Sequence, residues 1–211
     1  MLPTLIALCI VIAVGVFIWA LFAGDRKKKE AAQERDPISF GSRQVQHARV
    51  GDVLVIPGAG DDYDDLTFTI DRLARYRSAS GNWHELSGLY KNRRFYLEVD
   101  DDDDLVCWLS LEAEPTLDEF GLDEDRLIAY DEGDNPGPVV HGDYRFAFEK
   151  SGEIGCSERD GAPFEDCYQW EFVSDDGATS LTIEKWEDEP FEASLTKRVP
   201  PEDITVLRAE S

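Results

Sequence analysis

The sequence predicts an all-β fold, mainly antiparallel small barrels or curved sheets with two in tandem, preceded by one N-terminal transmembrane helix. Three observations predict it. Residues 5–23 run nineteen positions without a charge. Past residue 46 the apolar residues fall instead in short runs rich in Val, Thr, Phe, Tyr and Trp, several of them alternating with polar positions. Clusters of Gly, Asn, Asp and Pro separate those runs. With 42% hydrophobic and 11% aromatic residues in 211, the chain can bury a core, which excludes the disordered class for most of its length. Its 45 acidic against 21 basic side chains, net −24, exclude a nucleic-acid surface, which needs clustered Lys and Arg.

The first element, LIALCIVIAVGVFIWALFA, spans close to the roughly 30 Å of a bilayer core at about 1.5 Å per helical residue. A cleavable signal peptide is the competing reading. It is disfavoured because no Lys or Arg precedes the run, the run exceeds a usual signal core, and no clean small-x-small site follows. Arg26, Lys27, Lys28 and Lys29 follow the span directly, so the positive-inside rule places a single-pass protein in the cell membrane with its N-terminus outside and the rest cytoplasmic. The lipid bilayer is thus a partner through residues 5–23, with Trp19 and Phe22 near the inner headgroups. Residues 1–24 form the anchor and 25–46 a polar basic linker, which leaves the folded part more acidic than the whole.

The strands follow in two sets. The first module, 47–134, holds Asp52–Ile56, Leu66–Ile70, Trp83–Tyr90, Arg94–Val99 and Leu105–Leu111. The second, 138–211, holds Asp143–Lys150, Cys167–Val173, Ser180–Trp186, Glu192–Lys197 and Ile204–Leu207. Asn135-Pro136-Gly137-Pro138 continues neither helix nor strand and divides them. Tyr144, Phe146 and Phe148 alternate with polar residues, giving one buried and one wet face, so antiparallel pairing is expected. Asp176-Gly177 reads as a type I′ hairpin. Helix is scarce: one N-capped turn at Thr116–Phe120 and one turn at Pro200-Pro201-Glu202-Asp203. Trp83-His84-Glu85-Leu86 and Trp170-Glu171-Phe172 share a weak similarity that leaves a duplication open.

The chemical inventory points away from catalysis. No nucleophile elbow, H-E-x-x-H, or Walker loop is present, and His47, His84 and His141 stand far apart, so no catalytic residue, cofactor or metal is expected. Cys107, Cys156 and Cys167 read as reduced thiols rather than a disulfide framework, although a Cys156–Cys167 bridge fits the opposite orientation. Three acidic clusters remain: Asp61, Asp62, Asp64 and Asp65; the run Asp100, Asp101, Asp102, Asp103 and Asp104; and Asp123, Glu124 and Asp125. The run reads as a solvated loop or as a weak site for a divalent cation or polyamine.

Gly51-Asp52-Val53, then Gly81-Asn82-Trp83-His84-Glu85-Leu86, then Cys107-Trp108-Leu109-Ser110-Leu111-Glu112, followed by an acidic β-rich half, resemble the bacterial family catalogued as domain of unknown function 4178. The resemblance covers about residues 48–205, and its most specific parts are Gly81, Trp83 and Glu85 with Trp108, Leu109, Ser110 and Glu112. It implies a membrane-anchored protein of actinobacterial type, linked to gene clusters that include a polyamine aminopropyltransferase, and it carries no catalytic residue over. The residues themselves read as structural: Trp83 and Trp108 as core fillers of the first module against ligand stacking, Glu85 and Glu112 as solvated strand positions against acceptors at the module's mouth. The expected function is a non-enzymatic cytoplasmic β module that docks an unknown protein partner at the inner leaflet. The alternative is an acidic cation or polyamine sensor.

Overall fold

The computed structural model describes residues 45–208 apart from 102–103, 111–114, 135 and 160–161. The strands are β1 (Val53–Ile56), β2 (Leu66–Arg77), β3 (Asn82–Tyr90), β4 (Arg93–Asp100), β5 (Val106–Ser110), β6 (Val139–His141), β7 (Tyr144–Ser157), β8 (Glu165–Ser174), β9 (Thr179–Trp186), β10 (Phe191–Val199) and β11 (Thr205–Leu207). Each of the ten predicted strands is present; β6 is additional, and β2 and β7 run well past their expected ends. Every pairing is antiparallel.

The order β2-β3-β4-β5-β10-β9-β8-β7 returns to β2, because Arg75, Tyr76 and Arg77 pair with Ser157, Cys156 and Gly155. These eight strands close into a ring. β1 and β11 extend from the first residues of β2, and β6 extends from β7. Closure leaves β2 with its other edge shared between β1 and β7, which is why the strand is so long.

Register decides what each face carries. Leu73, Leu86, Leu97 and Leu109 stand opposite one another across four strands and, with Leu54, Ile56, Phe68, Ile70 and Val206, build one core. Phe172, Leu181, Ile183 and Leu195 build a second with Phe146 and Val139. Both lie on the outer face of the ring, roofed by the appended pieces. The roof of the second core is the helix α1 (Glu124–Asp131), which buries Leu127 and Tyr130. No helix is expected here from the sequence, because Asp123, Glu124 and Asp125 read as an acidic cluster. Asp123 is the cap, its carboxylate accepting the Arg126 N–H at 2.8 Å, and the next two acids sit in the first turn, where the helix dipole favours negative charge.

The two cores do not follow the 47–134 and 138–211 division. α1 precedes that boundary yet packs in the second core, and β11 follows it yet pairs with β1 over the first. Val45, assigned to the linker, is 2% exposed in the first core, so the folded part starts inside the predicted linker. Thr116 caps the turn Leu117–Phe120 as expected, with Glu119 reaching back to its N–H at 3.1 Å. Pro201–Asp203 also forms its turn. The Asp176-Gly177 hairpin is present but is not type I′: Gly177 N–H closes on Ser174 C=O at 2.8 Å, and of these two residues only Gly177 has a positive φ. With β8 ending at Ser174 and β9 starting at Thr179, the loop has four residues, 175–178, rather than two. Cys107, Cys156 and Cys167 are free and buried.

Residues 5–23 and the linker up to residue 44 lie outside the described residues. No helix of the described residues is long and apolar enough to cross a membrane.

Candidate functional site

Because side chains alternate along a strand, filling the outer face of the ring with leucine sends the intervening positions inward. Those positions mix acids with aromatic and small residues. Ala74, Glu85, Glu98, Trp108 and Arg198 lie opposite one another across β2, β3, β4, β5 and β10. On the other half Glu184 faces Gln169 and Gly152, and Glu171 faces Lys150. Glu85, Glu98, Glu171 and Glu184 are enclosed by protein yet keep partial exposure, as side chains lining an interior do.

Electrostatics shows the two halves facing across the ring. Burial, then the charges of Glu98 and Glu184, pushes Glu85 up to about 8 against a weaker opposing pull from Arg72 and Arg94. Burial, then Glu171 and Asp100, pushes Glu98 up to about 8. Burial raises Glu184 to about 7 even though the Trp186 indole N–H donates to it at 3.2 Å. Glu171 is raised by burial and held back by Lys150, whose ammonium lies at 3.2 Å. No donor among the described residues hydrogen-bonds Glu85 or Glu98. Enclosure thus favours the protonated form of both carboxyls, since isolated buried charge costs far more than protonation.

Open space accompanies the acids. A Cβ placed on Gly152, an inward position, meets no atom within 4 Å.

The sequence-predicted residues scatter around this interior. Trp83 and Trp108 are not core fillers of the first module: they share the inward register of Glu85 and Glu98, and the core residues on those strands are their alternates Leu86, Cys107 and Leu109. Trp83 stacks on Tyr76 with ring centroids 5.3 Å apart and planes at 8°. Leu109 is core, as the opposite parity requires. Ser110 accepts the Tyr96 N–H at 2.9 Å. Gly81 accepts the Ser78 N–H through its carbonyl at 2.8 Å, closing the turn before β3. Glu112 lies outside the described residues, as do Asp102 and Asp103. Asp100 ends β4, while Asp101 and Asp104 are exposed. Among the described residues no group of acids, His or Cys forms a metal site. Asp61 is committed to Arg93 and, at 3.2 Å, to Lys91, and Asp65 accepts the Gly58 N–H at 3.2 Å, so that cluster staples a loop. The Trp83 and Trp170 segments are not equivalents: Trp83 faces inward with Glu85, whereas Trp170 lies in the outer core beside an inward Glu171.

A family model described as Domain of unknown function (DUF4178) matches residues 57–201. The chain belongs to that family. The matched span contains all eight strands of the ring and omits β1 and β11, so the ring and its polar interior are what the family model covers. No curated protein and no solved structure matches the chain.

Sequence reasoning finds Glu85 and Trp108 through the resemblance but misses Glu98, Glu171 and Glu184. Each sits in an alternating strand and reads as the wet side of a sheet; only closure of the ring converts that side into an interior.

Proposed function

We propose that this is a non-enzymatic binding module, tethered through residues 5–23 to the cytoplasmic face of the cell membrane, whose ligand is a small organic cation of the polyamine class held inside the ring. The observation that carries the reading is the inward set Glu85, Glu98, Glu171 and Glu184, with only Glu171 paired to an ammonium. Carboxyls enclosed without donors are stabilised either by protons or by a cation that brings its own donors. The space beside Gly152 gives a ligand room. On this reading the cation sits in the interior rather than in the Asp100–Asp104 loop, where exposed charge is screened and unselective.

Binding to protonated carboxyls releases protons, so affinity rises with pH between about 6 and 9. Calorimetry of the full chain in detergent micelles with spermidine is expected to give stronger binding at pH 8.5 than at pH 6. The heat should depend on buffer ionisation, and 0.3 M salt should cost less than it does for an exposed loop. Gly152→Leu, which fills the space, should abolish binding while the fold persists. Spermidine binding that vanishes in salt and survives Gly152→Leu removes the interior as the site.

The tether has its own test. A fluorescent protein fused to the C-terminus is expected to fold and glow, and an alkaline phosphatase fused there to stay inactive. The reverse pattern overturns the orientation.

A further inference from the structure

Among the described residues of this acidic chain, cationic side chains gather in a groove of about 990 Å³ lined by Arg49, Arg72, Arg75, Arg94 and Arg159, with Asp71 and Glu158 as its acids. Residues 45–208 hold fifteen Lys and Arg, so a third of them meet in one concavity of a protein with net charge −24. The groove neutralises itself only in part. Arg94 is committed, bidentate to Asp71 at 2.6 and 3.0 Å and bonded to Ser87 at 3.0 Å. Arg72 reaches Glu158 only at 3.9 Å, with both side chains exposed. Arg49 and Arg159 form no salt bridge among the described residues. Gathering guanidinium groups at a concave surface raises the free energy unless an anion joins them, and phosphate is the anion their planar forks fit best.

The groove adjoins a second pocket of about 740 Å³, since Arg49, Leu73 and Arg75 line both. There the walls add the rings of Tyr76, Trp83, His47, His84 and Phe164, beside polar Gln46 and Asn82 and the acid Asp101. The Tyr76–Trp83 stack gives a rigid, partly exposed platform of the kind on which a planar ring stacks. Burial holds His84 below its usual pKa, and its Nε2 is buried without a hydrogen-bond partner. One end of the cleft therefore offers charge for phosphate and the other offers faces for a flat heterocycle.

We propose that this cleft binds a phosphorylated small molecule bearing a planar ring, of the mononucleotide class, with its phosphates among Arg49, Arg72 and Arg159 and its ring against Trp83. A nucleic acid is not implied, because the acidic surface beyond the groove repels an extended phosphodiester. The cleft borders the carboxyl interior, since Trp83 shares the register of Glu85 and Arg72 and Arg94 act on that carboxyl, but the phosphate reading does not rest on the cation reading.

The probes are ADP, UDP, inorganic pyrophosphate and adenosine, each titrated into the full chain in detergent micelles by calorimetry and thermal melting. At least one nucleotide is expected to bind more tightly than pyrophosphate and adenosine and to raise the melting temperature by several degrees at a hundredfold excess over Kd. Arg49→Ala with Arg159→Ala, both on exposed side chains, should leave the unliganded melting temperature unchanged. That pair should weaken nucleotide and pyrophosphate alike by about tenfold or more. Trp83→Ala should weaken the nucleotide and spare pyrophosphate; Trp83→Phe, which keeps a ring, should restore most of the loss. The proposal is overturned if millimolar ADP and UDP leave the protein's heat and melting temperature unchanged. It is equally overturned if the arginine double variant binds as wild type, or if neither nucleotide binds more tightly than pyrophosphate.

Discussion

Raising the pH from 5 to 9 is expected to destabilise this fold, and the loss follows from the inward glutamates. The ordinary value of a Glu carboxyl is 4.5, and Glu85 and Glu98 are raised to about 8 and Glu184 to about 7 in the native state. Below pH 4.5 these groups carry protons in both folded and unfolded chains, and their contribution is fully present. Between 4.5 and 8 the unfolded chain releases protons that the native ring retains, so each step up in pH favours unfolding. A tenfold difference in proton affinity between the native and unfolded chains is worth about 1.4 kcal/mol per carboxyl, so each glutamate puts on the order of a few kcal/mol at risk. Total stability of a domain is about 5–15 kcal/mol. Asp61, Asp71, Glu119 and Asp176 are lowered and act in the opposite direction only as pH falls through their own range, and all are largely solvent-facing. Maximum stability near pH 5, with a continuous decline to pH 9 in urea or thermal melts, is the expected outcome. A flat or rising profile over that interval means the carboxyls are solvated and the ring is not closed around them.

Glu98→Gln separates protonation from packing. The amide keeps the shape and removes the titration, so the variant should gain over wild type at pH 9, match it within about 1 kcal/mol at pH 5, and show a shallower slope throughout. Spermidine should flatten the wild-type slope in the same way, because a bound cation replaces the protons.

How much of this is legible in the sequence depends on which interaction carries the information. β3 and β4 are legible because Leu86, Leu97 and Val99 fall on one parity within punctuated runs, a signal contained in each strand. α1 is hidden because its hydrophobic face is only Leu127 and Tyr130, and its capping acids look like a charge cluster. The inward site is hidden for a different reason. Glu98 becomes interior only because β4 is set across the ring from β8, a relation fixed by pairings at Arg75–Arg77 and Thr196–Val199 far from it in sequence. Local alternation tells which residues share a face, and ring closure tells which face is inside. The same gap misassigns Trp83 and Trp108: an aromatic in a strand reads as core, but here the core takes the other parity.

Gly88→Ala is expected to cost about 3 kcal/mol or more, a large loss for one methyl group. Gly88 lies opposite Ile70, where β2 shifts register between Ile70 and Arg72 and so brings its backbone onto β3. A Cβ at residue 88 falls 2.2 Å from the Thr69 carbonyl oxygen and 2.5 Å from Cδ2 of Phe68. Neither neighbour is the free end of a flexible chain: one is strand backbone, the other a ring 2% exposed in the first core. Relief therefore requires either moving β2 off β3, which breaks ladder hydrogen bonds, or turning Phe68 out of its packing, which opens a cavity. Gly152→Ala is the internal control, since its Cβ meets nothing within 4 Å and the change only reduces unfolded-state freedom, a gain of about 0.4–1 kcal/mol. Equal melting temperatures for the two alanine variants would mean that β2 does not approach β3 at the bulge. A wide separation, with Gly88→Ala far below wild type and Gly152→Ala at or above it, is the expected result.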